Sequence, residues 1–325
     1  MIITRTPLRI SFAGGGTDLP AYYRNHGGGA VTSAAIDRYV HVVVNDKFDR
    51  SIRVAYSRTE NVDRLDDLKH GLVREAMRMV GVTEAFEIHT IADIPSEGTG
   101  LGSSSSVTVG VLNALYAYRG QLKDPAELAE AACRIEIDLL GGTLGKQDQY
   151  IAAFGGVHYF EFRPDDSVRV SPIPLATADR EALSSHLSLF YTGVTRQSQG
   201  ILKAQAARTE EKVASLDRMR ELAEETRRTI VARDWPKLGE LLDVGWQLKR
   251  GLTDGISTAE IDRLYAKARA AGAYGGKITG AGGGGFLLLA HPPERSAQIG
   301  KALSPLPRFP VTIVSEGSRI LVVRR

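Results

Sequence analysis

Isoleucine, valine, tyrosine and threonine crowd residues 2–13, 30–45 and 52–56, a composition that favours β-strands, and Gly14-Gly15-Gly16 breaks the first run. The chain thus starts as a β-rich layer. Over 65–80 the period changes, with Leu68, Leu72, Ala76 and Val80 on one helical face, and 86–91 returns to a strand pattern. A glycine-rich loop at 95–102 leads into a helix from Ser103, where Val107, Val111 and Leu115 stand at helical spacing. Asp124-Pro125-Ala126-Glu127 supplies a cap, a proline at the first helical position and a glutamate three residues after the cap. The helix it opens turns Leu128, Ile135 and Leu139 inward and stops at Gly141-Gly142.

Residues 157–162 form another strand, and the proline-rich stretch 164–174 is the expected passage into a second domain. Beyond it lie a strand at 187–191 and one long helix from about Ser198, with Val213, Leu216, Met219, Leu222 and Ile230 inward. Further helices follow Trp235 and Thr258, and strands at 286–290, 311–314 and 320–323 close the chain. Strands and helices in both halves without regular alternation define an α+β fold. At 325 residues two domains sharing a cleft are expected, 1–170 and 171–325.

Composition narrows the function classes. With 43% hydrophobic and 24% charged residues this is an ordinary globular chain, and its net charge of +3 is scattered rather than gathered into a stripe that would hold nucleic acid. Anionic small substrates remain compatible with it. Cys133 is the only cysteine, which excludes an intrachain disulfide and a cysteine metal cluster. No leader pattern and no apolar run of membrane-spanning length occur, so neither a membrane nor an oxidising compartment is expected, and the cytoplasm is the expected location.

The most informative stretch is Pro95-Ser96-Glu97-Gly98-Thr99-Gly100-Leu101-Gly102-Ser103-Ser104-Ser105-Ser106. Alternating glycines let the backbone approach a polyphosphate, and the helix amino terminus beyond them offers unpaired N–H groups and a positive dipole end. It is not a Walker A loop, because Ser103 stands where that loop needs lysine. Lys277-Ile278-Thr279-Gly280-Ala281-Gly282-Gly283-Gly284-Gly285 formally matches GxGxxG, yet it runs on into a strand, so a dinucleotide site is rejected. The stretch from Thr6 to Pro20 places Arg9 on a strand and Asp18 after the glycine turn. A carboxylate there can accept two hydrogen bonds from a diol.

Together these three motifs resemble those of the GHMP kinases, small-molecule kinases with two domains and an active site in the cleft between them. The resemblance implies ATP and Mg²⁺ as cofactors. It assigns Gly98, Thr99, Gly100, Leu101, Gly102, Ser103, Ser104 and Ser105 to the nucleotide, and Arg9, Gly15, Gly16, Thr17, Asp18, Gly282 and Gly283 to the substrate. Ser104 and Glu136 would hold the metal, Arg9 would also act catalytically by stabilising charge near the acceptor oxygen, and Asp148, twelve positions after Glu136, would accept or orient the proton of the acceptor hydroxyl, with Lys146 paired to it. Galactokinases carry Glu-His before the Thr-Asp pair, where this chain has Gly15 and Gly16. The pattern is more similar to heptose 7-phosphate kinases and the kinase part of fucokinases. The expected reaction is therefore transfer of the ATP γ-phosphoryl to the anomeric hydroxyl of a heptose 7-phosphate. L-fucose, mannose or another hexose is the alternative acceptor, and a non-catalytic sugar and nucleotide sensor the alternative role. Arg196 and Lys203 are candidates for a distal phosphate. The expected partner is a small-molecule sugar phosphate, and a homodimer is compatible with the sequence.

Overall fold

A computed structural model describes residues 1–94, 98–194 and 198–324. The chain opens with β1 (Ile2–Ala13), the short α1 (Pro20–Tyr23) and the long β2 (Gly29–Asp46), followed by β3 (Ile52–Ala55) and β4 (Thr59–Val62). Then come α2 (Gly71–Val80), β5 (Phe86–Ala92), α3 (Ser103–Tyr118), α4 (Pro125–Cys133), α5 (Gln147–Phe154), β6 (Val157–Phe162) and β7 (Val168–Pro172). The second half holds α6 (Thr177–Ser185), β8 (Leu187–Tyr191), α7 (Ser198–Ala207), α8 (Val213–Ala232), α9 (Trp235–Arg250), α10 (Ala259–Ala270) and β9 (Gly275–Ile278). It ends with β10 (Phe286–Ala290), α11 (Ser296–Ala302), β11 (Arg308–Pro310) and β12 (Arg319–Val323).

Strand β2 organises the first, eight-stranded sheet. One edge pairs with β1 throughout, while the other pairs with β6 over 29–34 and with β5 over 40–46. A second sheet of four strands runs β11-β8-β10-β9. The two are not separate bodies in sequence. The 170/171 division falls inside β7, which pairs with β6, and β12 returns to pair with β1 at the edge of the first sheet. One hydrophobic core joins Leu8, Ile10 and Phe160 of the first half to Leu187, Trp235 and Phe286 of the second.

Four expectations are corrected. The helix expected from residue 65 begins at Gly71, after a 3-10 turn at Leu65–Asp67. The single long helix from Ser198 is two helices, parted by a 3-10 turn at Glu210–Lys212. Residues 311–314 form no strand; Ile313 makes an isolated bridge to Ile36 of the first sheet, and the Thr312 N–H donates to the Asp37 side chain at 3.2 Å. Leu139, expected inside, is 49% exposed, because Arg134–Leu139 is π-helical and its wider turn rotates the side chains out of α-helical phase. Among the described residues no helix is long and apolar enough to cross a membrane.

Helix α3 is buried along nearly its whole length, which its apolar residues on every side permit. It packs on β1 and β2, and Gly110 allows the approach: a methyl there would stand 2.8 Å from Thr6 Oγ1 and 3.1 Å from Val42 Cγ2. Gly110→Leu is expected to destabilise the protein by about 1–3 kcal/mol through overpacking. Urea unfolding measures it, and an unchanged midpoint would show that the helix seats elsewhere.

Candidate active site

A cleft of about 600 Å³ opens where the amino terminus of α3 meets the second half of the chain. Its floor is built around Arg9 on β1, whose side chain is only 5% exposed. The guanidinium grips Asp148 with two parallel bonds, Nε to Oδ1 at 2.7 Å and Nη2 to Oδ2 at 2.6 Å, and Nη1 donates to the Gly100 carbonyl at 2.6 Å. Such a fork-to-carboxylate pair fixes orientation as well as charge.

Three consecutive residues at the start of α5 each hold a different part of the site. Gln147 Nε2 donates to Asp18 Oδ2 at 3.0 Å, Asp148 takes Arg9, and Gln149 Nε2 donates to Glu136 Oε2 at 3.1 Å. Asp18 also accepts from the Gly16 N–H at 2.8 Å, and burial pushes its carboxyl up against the pull of that bond. Gly145 is needed where it stands, since a methyl there would lie 1.9 Å from Asp18 Oδ2.

The glycines of the nucleotide loop answer to a second constraint. Gly100 at φ +74° and Gly280 at φ +65° press backbone to backbone, so that a methyl on Gly280 would come within 2.5 Å of the Gly100 Cα. The expected glycine loops therefore pack on each other, and Thr279 Oγ1 adds a bond of 3.3 Å to the Thr99 carbonyl. Beyond them Gly102 caps α3, whose first N–H groups have no intrahelical acceptor. Pro95, Ser96 and Glu97 lie outside the described residues.

Glu136 sits on the π-helical turn, 4% exposed. Its Oε2 accepts from Ser105 Oγ at 2.9 Å, while Oε1 has no partner. Burial pushes its carboxyl up to about 7, against the pull of the Ser105 hydroxyl and the Gln149 amide on Oε2. An orphaned carboxylate oxygen beside serines at a helix amino terminus fits a hard cation with oxygen ligands. The serine that meets Glu136 is Ser105; Ser104 is exposed and lines the cleft beside it, and the buried Ser103 hydroxyl there is also unpartnered.

Other expected residues are placed differently. Lys146 does not pair with Asp148: its ammonium donates to the Asp166 carbonyl at 2.7 Å and lies 5.2 Å from the Tyr23 ring, leaving Asp148 to Arg9. Thr17 is fully buried, its hydroxyl set between the Gly14 and Ala30 carbonyls, either of which takes its one hydrogen, and accepting from the Ala30 N–H, so it shapes the turn without lining the cleft. Leu101 is in the core and gives the site only its carbonyl, which accepts from the Arg9 N–H at 3.0 Å. Gly15, Gly16, Gly98, Thr99 and Gly282 line the cleft, whereas Gly283 donates its N–H to the Ile256 carbonyl at 2.8 Å. Lys203 is exposed and away from the cleft, and Arg196 lies outside the described residues. The sequence reading missed Gln147, Gln149, Gln205, Lys249 and Lys277. The nearest thing to a signal was Lys277, a charge inside an otherwise apolar and glycine strand.

A cleft with a phosphate-sized glycine loop, a helix amino terminus and a fixed carboxylate defines a phosphotransferase with an alcohol acceptor. The chain belongs to the GHMP kinase family: residues 69–156 match the GHMP kinases N-terminal domain and residues 219–305 the GHMP kinases C-terminal domain. It is 31% identical over 316 residues to a D-glycero-alpha-D-manno-heptose 7-phosphate kinase of Campylobacter jejuni, covering 93% of each chain. A mevalonate kinase of Methanothermobacter thermautotrophicus is 30% identical over 80% of this chain and 82% of its own. Among solved structures, a D-glycero-D-manno-heptose 1-phosphate kinase from Bacteroides thetaiotaomicron superposes with a TM-score of 0.83 at 25% identity, covering 100% of both chains. The chain is an ATP-dependent kinase with the two-domain fold of this family.

The raised carboxyl of Glu136 predicts a pH dependence in the metal-free protein. A folded-state value of about 7 against 4.5 for the free side chain means that folding favours the protonated form. That stabilisation is present in full below about 4.5 and is lost as the pH rises through 7. Melting temperature should therefore fall across this window in the wild type and fall less in Glu136→Gln. Parallel curves for the two proteins would refute it.

Proposed function

We propose that the chain phosphorylates the anomeric C1 hydroxyl of D-glycero-D-manno-heptose 7-phosphate with ATP. The observation that carries the reading is the placement of Asp148: locked by Arg9, it stands in one cleft with the nucleotide loop and with the Gly15, Gly16 and Asp18 turn. The relatives named for heptose phosphates support the choice of sugar.

In this reading the backbone of 98–102 and the first turn of α3 cradle the triphosphate. Asp18, its carboxylate oriented by Gln147 and the Gly16 N–H, accepts hydrogen bonds from sugar hydroxyls. Both Asp148 oxygens keep a lone pair after bonding Arg9, and one of them accepts the acceptor hydroxyl proton, turning the oxygen toward the γ-phosphorus. Glu136, with Ser104 and Ser105, would hold Mg²⁺, which when bound offsets the charge of the phosphates. Arg9 orients Asp148 and also pulls on the Gly100 carbonyl, so the acceptor's base and the nucleotide loop share one anchor.

Asp148→Asn should bind nucleotide much as the wild type does and lower kcat by about 10²–10⁴, the usual range for a positioned acid or base. ADP release at saturating substrates measures it, and activity within threefold of wild type would remove Asp148 from this role. For the acceptor, heptose 7-phosphate should exceed mannose and L-fucose in kcat/KM by about 10² or more. Greater efficiency with fucose or mannose would replace the heptose reading by that of a hexose kinase, and no turnover of any sugar by that of a sensor.

A further inference from the structure

Two lysines are buried in the cleft without an anionic partner. Lys249 on α9 and Lys277 on β9 are 5% and 6% exposed. Their ammonium groups meet backbone carbonyls, Lys249 that of Gly280 and Lys277 that of Phe12 at 3.3 Å. Among the described residues neither forms an ion pair. Asp18 acts on both through space and Asp148 on Lys249, but neither carboxylate is within ion-pair distance of either ammonium. Beside the lysines, Gln205 Nε2 and Ser11 Oγ, in residues 3% and 5% exposed, have no hydrogen-bond partner. All four side chains line the same cleft.

Burying two ammonium groups is costly unless a counter-charge meets them. With one hydrogen of each ammonium spent on a backbone carbonyl, the two lysines, an amide N–H₂ and a hydroxyl still present up to seven donor hydrogens, and the group that uses such a set is an oxyanion with several acceptor oxygens. Its position follows from the contacts. Lys277 holds the Phe12 carbonyl, just before the glycine turn, and Gln205 Nε2 lies so close to Gly16 that a methyl there would be 2.4 Å away. Ser11 Oγ would stand 3.6 Å from a methyl on Gly15, so three of the donors gather around the turn that carries Asp18, while Lys249 reaches in from Gly280, on the glycine loop that packs against Gly100.

We propose that Lys249, Lys277, Gln205 and Ser11 form a subsite for a phosphate group carried by the acceptor, separate from the loop that takes the ATP phosphates. The proposal rests on the sugar phosphate reading above and supplies the charge recognition that reading lacks. An uncharged hexose would leave both lysines without a counter-ion, so the subsite selects for phosphorylated sugars. Burial, which holds Lys249 at about 8 and Lys277 well below its ordinary value, would be offset by the bound dianion.

The test is a specificity ratio, kcat/KM for heptose 7-phosphate over that for the same heptose without phosphate, in wild type, Lys277→Met and Gln205→Ala. The ratio should fall about tenfold or more in each variant, as expected when a charge-assisted contact to one substrate alone is lost. An equal loss on both acceptors would place these groups on the transferred phosphoryl or in the fold and overturn the proposal. Should Lys277→Met not fold, the wild type still decides: inorganic phosphate should inhibit competitively against the acceptor and not against ATP. Competition against ATP alone, or no inhibition, would overturn it. A panel including mannose 6-phosphate separates this from the choice of sugar. Preference for another phosphorylated sugar ends the heptose reading while the subsite stands, whereas preference for unphosphorylated sugars ends the subsite whatever the ring.

Discussion

A single guanidinium ties together the parts of this protein that must agree in position. Arg9 projects from β1, the strand between β2 and β12, and reaches both the carboxylate of Asp148 and the carbonyl of Gly100. Its own N–H bonds the next loop residue, Leu101. Breaking a buried pair by removing one member costs about 3–5 kcal/mol, because the charge left behind has no water to return to. With the Asp148 side chain 23% exposed, the cost here falls toward the lower end of that range. Catalytic geometry and fold are therefore not independent quantities in this protein: the guanidinium that aims the carboxylate with two of its nitrogens seats the nucleotide loop on the sheet with the third.

The packing of one glycine loop on the other extends the same logic across the cleft. The Gly100–Gly280 approach leaves no room for a side chain on either loop, so the position of one dictates the position of the other. The common core that joins Phe160 to Phe286 holds the two halves in a fixed relation.

Much of this was legible in the sequence, for identifiable reasons. Strand runs, the entry into α3 and the capping box at Asp124 are local signals, and the structure contains each of them except the run at 311–314. The glycine loops were legible because close backbone approach can be met in only one way by side-chain choice. What escaped were features set by partners far along the chain. Leu139 turned outward because of a π-helical turn that periodicity does not encode. Lys146 and Asp148 are neighbours in sequence, yet the helix start sends one to Asp166 and the other to Arg9. Lys249 and Lys277 escaped because lysine is rarely buried and nothing nearby in sequence shows the cleft above them. Gln147 and Gln149 were hidden by their chemistry: a neutral amide gains its role only from the carboxylate it meets.

The edge strand β12 has a consequence for the way the molecule is made. It completes the sheet on the flank of β1, and Met1 and Arg324 are joined by hydrogen bonds of 2.6 and 2.9 Å. During synthesis β1 leaves the ribosome some three hundred residues ahead of its partner on that side, roughly 15–60 s earlier at about 5–20 residues per second. Through that interval the strand bearing Arg9 offers an open row of N–H and C=O groups, the kind of edge on which chains stick to one another. Yield of active enzyme in the cell should thus be limited by how well this nascent edge is shielded, a demand on chaperones that the stability of the finished protein does not reveal.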